Sequence, residues 1–260
     1  MNNNLVSGSP IEVNLNQAIE NEKIIQVKNF TKVYKNKFKA VNDISFDIYG
    51  QQFHVFIGAN GSGKTTTIKA IINAYVNWSG TILINGIPNS KVDAKKTIGY
   101  MPEKDIFPNH FSIEKFLFSL AILSGWTKQD AKRQVNHLIN FLNLNQFTKR
   151  NPNNLSSGQK RKVLLAQALI NNPKILIMDE PTTNLDPVAR KELFEILHHL
   201  KTEGTTIFIS THDLYEVSRF TDYVTIINKG KIVYDGKKHL DNLEQLYFQY
   251  VNYEESKNEI

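Results

Sequence analysis

Cysteine is absent from the 260 residues, which excludes disulfides and thiolate chemistry. Arginine is scarce: only Arg133, Arg150, Arg161, Arg190 and Arg219 occur, although arginine dominates specific base readout in nucleic-acid binders. Long apolar runs are missing too. The longest near-continuous one, from Phe116 to Leu123, falls far short of the roughly 18 residues expected of a membrane span. The opening Met1-Asn2-Asn3-Asn4 has neither the basic region nor the apolar stretch of a signal peptide, and the expectation is a cytosolic chain.

What is present is ordinary for a globular α/β protein. Hydrophobic residues make up 41%, and the length suffices for one large core or two small ones. The formal charge of +6 and pI near 9.2 come from scattered lysines in short clusters, such as Lys35/Lys37/Lys39 and Lys160-Arg161-Lys162. This reads as a solvated lysine surface, and no direct nucleic-acid binding is expected.

The informative stretch is Gly58-Ala59-Asn60-Gly61-Ser62-Gly63-Lys64-Thr65-Thr66. Its first eight residues fit G-x-x-x-x-G-K-[ST] at every fixed position. The apolar run Phe53 to Ile57 precedes it as a buried strand. Ile68, Ile71, Ile72 and Tyr75 follow at helical spacing. Glycines 58, 61 and 63 let the backbone curl so that its N–H groups point at phosphate oxygens, and the helix adds its positive end. Lys64 would reach the β- and γ-phosphates, and the Thr65 hydroxyl would ligate Mg²⁺. A nucleoside triphosphate is the expected ligand.

The rest of the chain supplies a framework for that loop. Residues 1–22 are polar and asparagine-rich and read as a flexible tail. Alternation at Ile25, Val27 and at Ile44, Phe46, Ile48 predicts antiparallel strands ahead of the phosphate loop. Residues 80–86 form a strand closed by an Asn-Gly turn, and Ile98 to Met101 a short strand stopped by Pro102. Ser112 and Thr127 are placed to cap two helices, the second with Asp130 in a capping box. Further helices begin near Ser157, at Asp186-Pro187, and after Asp213, which with Glu216 three residues later reads as a cap. Apolar strands end at Asp179-Glu180 and just before His212, and a hairpin spans Tyr223 to Tyr234. Residues 243–250 read as a helix.

The predicted architecture is a P-loop NTPase fold of the α/β class: a RecA-like core, an N-terminal antiparallel β-subdomain and a helical insertion at about 104–170. The domain is expected over residues 23–245, with 246–260 as a C-terminal tail. In an open α/β sheet the ends of parallel strands gather at one edge. Asp179 would therefore hold Mg²⁺ through water beside the phosphate loop, Glu180 would polarise the attacking water as general base, and His212 would sense the γ-phosphate.

The ordered set of residues 58–66, Leu155-Ser156-Ser157-Gly158-Gln159, Ile175 to Glu180, Asn184-Leu185-Asp186 and His212 resembles the ATPase subunit of ABC transporters over about residues 23–236. The resemblance implies ATP and Mg²⁺ as cofactors and contacts from the whole of 58–66, including Asn60, Ser62 and Thr66. It implies Tyr34 as an aromatic residue stacked on adenine. Ser156 or Ser157, with Gly158 and Gln159, would meet the γ-phosphate held by a second subunit, with Asp186 in the loop communicating across that interface. The implied assembly is a head-to-tail dimer of this chain or of it with a close paralogue. A separate integral-membrane permease would hold it at the cytoplasmic face of the membrane.

Two positions depart from the family pattern. Ser157 stands where the usual Leu-Ser-Gly-Gly-Gln has its first glycine. Glu103 occupies the place of a glutamine that touches Mg²⁺ and water, a variant resembling the drug-, ion- and antibiotic-exporting branch. Phe118, Ile122 and the segment Ile106-Phe107-Pro108 are the candidate groove for the permease. The leading reading is an ATP-hydrolysing export subunit. The alternative is a soluble ABC ATPase acting on nucleic acid or ribosomes, whose relatives usually carry tandem cassettes or a long coiled coil between phosphate loop and signature.

Overall fold

Five consecutive buried residues, Phe53–Ile57 (β3), lie at the middle of a six-stranded sheet in a computed structural model of the chain. The structure describes residues 22–257 except 36 and 241, and side chains to residue 252. The tail expected over 1–22 therefore lies outside the described residues but for Glu22.

The strand order is β10-β9-β3-β8-β7-β6, with β6 Ile98–Met101, β7 Ile175–Asp179, β8 Thr206–Thr211, β9 Tyr223–Asn228 and β10 Lys231–Lys237. All neighbours are parallel except β9 and β10, which form the expected hairpin. A second sheet, β2-β1-β4-β5, is antiparallel and contains β1 Lys23–Val33, β2 Lys39–Tyr49, β4 Ser79–Ile84 and β5 Ile87–Pro88. Asn85 and Gly86 join β4 to β5 with φ of 50° and 75°, the left-handed pair a two-residue hairpin turn demands.

The period-two alternation of the strands sorts the core into two layers. Phe56, Ile175, Ile177 and Phe208 face the antiparallel sheet, with Ile68 and Ile71 of helix α1 (Lys64–Ile71) packed between. Phe53, Val55, Ile57, Leu176, Met178 and Ile209 face the other way, onto the remaining helices. These are α3 Ile113–Leu123, α4 Lys128–Phe141, α5 Ser157–Leu169, α6 Pro187–Thr202 and α8 Leu243–Lys257. Short helices α2 Val92–Lys95 and α7 Tyr215–Ser218 complete the set.

Helices α3 to α5 lie between β6 and β7 in the chain. Ser112 caps α3, its Oγ accepting from Lys115 N at 3.4 Å, and Thr127 caps α4, accepting from Asp130 N at 3.2 Å. The insertion is fastened tightly to the core. A Cβ added at Gly99 in β6 would lie 2.3 Å from the Ala168 carbonyl oxygen of α5.

Four expectations are corrected. Helix α1 ends at Ile71 and does not reach Tyr75: Asn73 turns left-handed with φ 56°, and Ala74 N and Tyr75 N both donate to Lys69 O. Asp213 does not cap α7, whose N-cap is Leu214; its carboxylate pairs with Arg190 instead. Phe107 is not available to a partner. It is 5% exposed and packs edge-on against Phe116, while neighbouring Ile106 is 76% exposed. The helix α8 also crosses the boundary drawn at 245 and buries Leu243, Leu246 and Val251 in the core.

Candidate ATP site

Because β3, β8, β7 and β6 run parallel, their C-terminal ends open at one edge of the sheet. The residues just past those ends are the phosphate loop, His212, Asp179-Glu180 and Glu103. Tyr34, Asn60, Gly61, Gly63, Lys64, Thr65, Thr66, Glu103 and Glu180 line one cavity of about 310 Å³.

The glycines act in different ways. Gly63 has φ 115° at the N-cap of α1, where only glycine is unstrained. Gly58 is needed for close approach: a Cβ there would stand 2.4 Å from the Ile227 carbonyl of β9. The hairpin β9–β10 also clasps the loop, Gly230 N donating to Ser62 O at 3.0 Å.

Lys64 is 5% exposed. Its Nζ donates to Gly58 O at 2.7 Å and Ala59 O at 3.3 Å and lies 3.1 Å from Glu180 Oε1. The other Glu180 oxygen is 2.9 Å from His212 Nδ1. Glu180 holds φ 48°, a backbone conformation that a non-glycine residue keeps only where its surroundings impose it. Its N–H is held at Ser210, 3.2 Å from the carbonyl and 3.0 Å from Oγ.

Thr65 Oγ1 donates to Asp179 Oδ1 at 3.0 Å, and Ser210 Oγ donates to the same oxygen at 2.8 Å. Burial pushes the Asp179 carboxyl above its ordinary value, opposed by these two hydrogen bonds, while the charges of Glu103 and Glu180 raise it further. Thr65 and Glu103 line the cavity and Asp179 lies behind it, hydrogen-bonded to Thr65; a hydroxyl and two carboxylates are an all-oxygen set of the kind a hard divalent cation takes. Such a cation, shared with phosphate oxygens, would offset the accumulated negative charge.

The Tyr34 hydroxyl lies 3.1 Å from Thr66 Oγ1, and its ring packs edge-on to Tyr75 at 6.3 Å. Phe38, 56% exposed, lines the same cavity and was not marked by the sequence pattern.

Ser156, Ser157, Gly158, Gln159 and Asp186 lie elsewhere within the chain. Ser156 and Gln159 form a reciprocal capping box at the start of α5, Ser156 N donating to Gln159 Oε1 at 3.1 Å and Gln159 N to Ser156 Oγ at 3.4 Å. Asp186 caps α6, accepting from Ala189 N at 2.9 Å. These two helix starts are neighbours: a Cβ at Gly158 would be 3.0 Å from that of Ala189.

Two residues in or beside the site escaped sequence reasoning. Ser210 looks like the end of a buried strand, yet its hydroxyl joins Asp179 to the Glu180 N–H. Arg161 looks like part of a surface lysine cluster, yet it is 2% exposed.

The chain is similar to known proteins of one family. The family model described as ABC transporter matches residues 41–183. A protein of Mycoplasma pneumoniae named as an ABC transporter ATP-binding protein is 41% identical over 217 residues, covering 82% of this chain and 67% of its own. The Nod factor export ATP-binding protein I of Burkholderia orbicola is 34% identical, covering 83% and 71%. A solved structure of an ATP-binding subunit of an ABC transporter superposes with a TM-score of 0.78 at 27% identity, covering 88% and 99%. The chain belongs to the ABC transporter family, as one of its ATP-binding, ATP-hydrolysing subunits.

Proposed function

We propose that this chain hydrolyses ATP to drive a separate membrane permease in the export direction. The observation that carries this reading is the junction at Glu180: one carboxylate oxygen faces Lys64 of the phosphate loop and the other faces His212.

In this reading the 58–66 loop binds the phosphates through its backbone and Lys64. Glu180 takes a proton from the attacking water, and His212 orients that carboxylate and contacts the γ-phosphate. Thr65, Asp179 and Glu103 would hold Mg²⁺, which supplies charge neutralisation at the phosphates. Tyr34 stacks on adenine.

The Ser156–Gln159 segment and Asp186 stand apart from the cavity of their own chain. Both cap helix N-termini, which favour anions, and both suit a second ATPase subunit whose ATP they would complete. Ile106, 76% exposed, Ile122, 38% exposed, and half-buried Phe118 present apolar surface on or beside the insertion. They are the face proposed for the permease, which would place the chain at the cytoplasmic side of the membrane. No helix among the described residues is long and apolar enough to cross a membrane. Export as the direction follows the Glu103 variant and the similarity to the Nod factor exporter subunit.

The test is an affinity capture from solubilised native membranes with the Glu180→Gln chain and ATP. Recovery of an integral-membrane protein supports the reading. Recovery of ribosomes or nucleic acid without a membrane partner overturns it.

A further inference from the structure

Arg161 is a fully buried cation, 2% exposed, in the second turn of α5. Its Nη1 donates to the Pro102 carbonyl at 3.2 Å and lies 3.2 Å from Asp105 Oδ1; its Nη2 donates to the Thr183 carbonyl at 3.2 Å. Its Nε has no hydrogen-bond partner among the described residues. Burial pulls the guanidinium pKa down, and Asp105 and Glu103 oppose that.

This arrangement is a poor way to gain stability. A buried ion pair commonly does no better than an apolar side chain of similar volume, and an unpartnered N–H adds to the cost. Its geometry, in contrast, is specific. Pro102 immediately precedes Glu103, which lines the ATP cavity. Thr183 N donates to the Glu180 carbonyl at 3.3 Å, and Thr183 lies three residues before Asp186. The rigid fork of one guanidinium therefore joins the helix that starts at Ser157 to the loop carrying Glu103 and to the loop leaving Glu180. A lysine, with a single ammonium, cannot hold both carbonyls in that plane.

We propose that Arg161 is a positioning residue for ATP hydrolysis, setting Glu103 in the cavity by holding the Pro102 carbonyl against the anchor at Thr183. The inference rests on the reading that Glu103 serves the cation. Lysine at 161 keeps the charge but releases one carbonyl, so Glu103 loses its register while the phosphate loop is untouched.

The experiment is a double-mutant cycle of Arg161→Lys and Glu103→Gln, reading kcat, the KM for ATP and, without turnover, the Mg²⁺ midpoint for stabilisation by a non-hydrolysable ATP analogue in a thermal-shift assay. Arg161→Lys is expected to lower kcat by about 10- to 100-fold, the scale of a misplaced group. KM should stay within about twofold, because ground-state binding is retained. Its Mg²⁺ midpoint should shift in the direction given by Glu103→Gln, with the double variant little worse than the worse single. Multiplying effects, or an unchanged Mg²⁺ midpoint in Arg161→Lys alone, would overturn the role of Arg161 and leave that of Glu103 intact. A Glu103→Gln chain with wild-type rate and Mg²⁺ midpoint would remove the reading of Glu103, and the positioning role with it. If Arg161→Lys does not fold, Asp105→Asn replaces it in the same cycle, with the same outcomes deciding.

Discussion

His212 Nδ1 stands 2.9 Å from Glu180 Oε2, while Lys64 Nζ stands 3.1 Å from Glu180 Oε1. The carboxylate is thus held from both sides and is 9% exposed against 52% for the histidine. One partner comes from the phosphate loop and the other from the strand beside it, so the proposed base is oriented before any water reaches it.

Glu180→Gln is expected to lower ATP turnover by about 10²–10⁴-fold, the usual span for a general base, with nucleotide binding retained. Single-turnover hydrolysis alongside equilibrium ATP binding separates the two. Turnover near that of the wild type would remove Glu180 from the role.

Lys64→Ala should act on binding instead. Loss of a hydrogen bond to a charged group, about 1.5–3 kcal/mol, corresponds to about 10- to 100-fold weaker ATP affinity by calorimetry. The accompanying loss of a partner for buried Glu180 should also lower the thermal midpoint of the free chain. An unaltered affinity would contradict the phosphate role.

Removal of the divalent cation by EDTA should shrink the stabilisation that ATP confers in a thermal-shift assay, since only the magnesium complex brings a counter-charge to Asp179. In Asp179→Asn the difference between ATP with and without Mg²⁺ should narrow. A difference as large as in the wild type would take Asp179 out of the cation site.

The sheet also carries opposing acid–base groups. His54 is fully buried, its Nε2 2.7 Å from Thr225 Oγ1, which donates to Asp235 Oδ1 at 2.6 Å. Burial holds the His54 pKa down at about 3 and pushes Asp235 up to about 6. A depressed histidine contributes stability above its unfolded value of about 6.5, which is lost on acidification. A raised aspartate does the reverse: its contribution is present below the unfolded value of about 3.9 and is lost as pH rises through about 6. In the wild type the two partly cancel. Asp235→Asn should therefore lose more thermal stability between pH 7 and pH 5 than the wild type does, measured by calorimetry at both values. An equal or smaller loss would show that Asp235 does not titrate in that window.

Gly99→Ala should destabilise the fold by about 1–3 kcal/mol, the cost of overpacking, because the new methyl meets the Ala168 carbonyl and Pro173. Denaturant unfolding checks it. A neutral effect would mean that α5 can move away from β6.

Much of this molecule was legible in its sequence because its signals are local. Short, mostly apolar runs mark β3 and β7, the Asn-Gly pair marks the β4–β5 hairpin, and Ser112, Thr127 and Asp186 cap the helices they were expected to cap. Errors arose where a local pattern was outbid by a distant partner. Asp213 had the spacing of a cap, yet Arg190, on α6, takes its carboxylate. Tyr75 had helical spacing from Ile68, yet Asn73 turns the chain and brings Tyr75 against Tyr34.

By itself the sequence determined which chemistry is on offer: a phosphate-binding loop, two acids at a strand end, a histidine after another and a capped signature segment. Each depends on residue type and spacing within a few positions, where backbone geometry is set by near neighbours. Only the tertiary structure decided how these meet. Parallel pairing of β3, β8, β7 and β6 brings Lys64, from the far side of the insertion in the chain, and His212, 32 residues further on, to the same Glu180 carboxylate. It turns Ser210 from a strand residue into the link between Asp179 and Glu180, and it buries Arg161 between two loops. A side chain's partner is set by the order of strands and the path of loops, which no short stretch of sequence records.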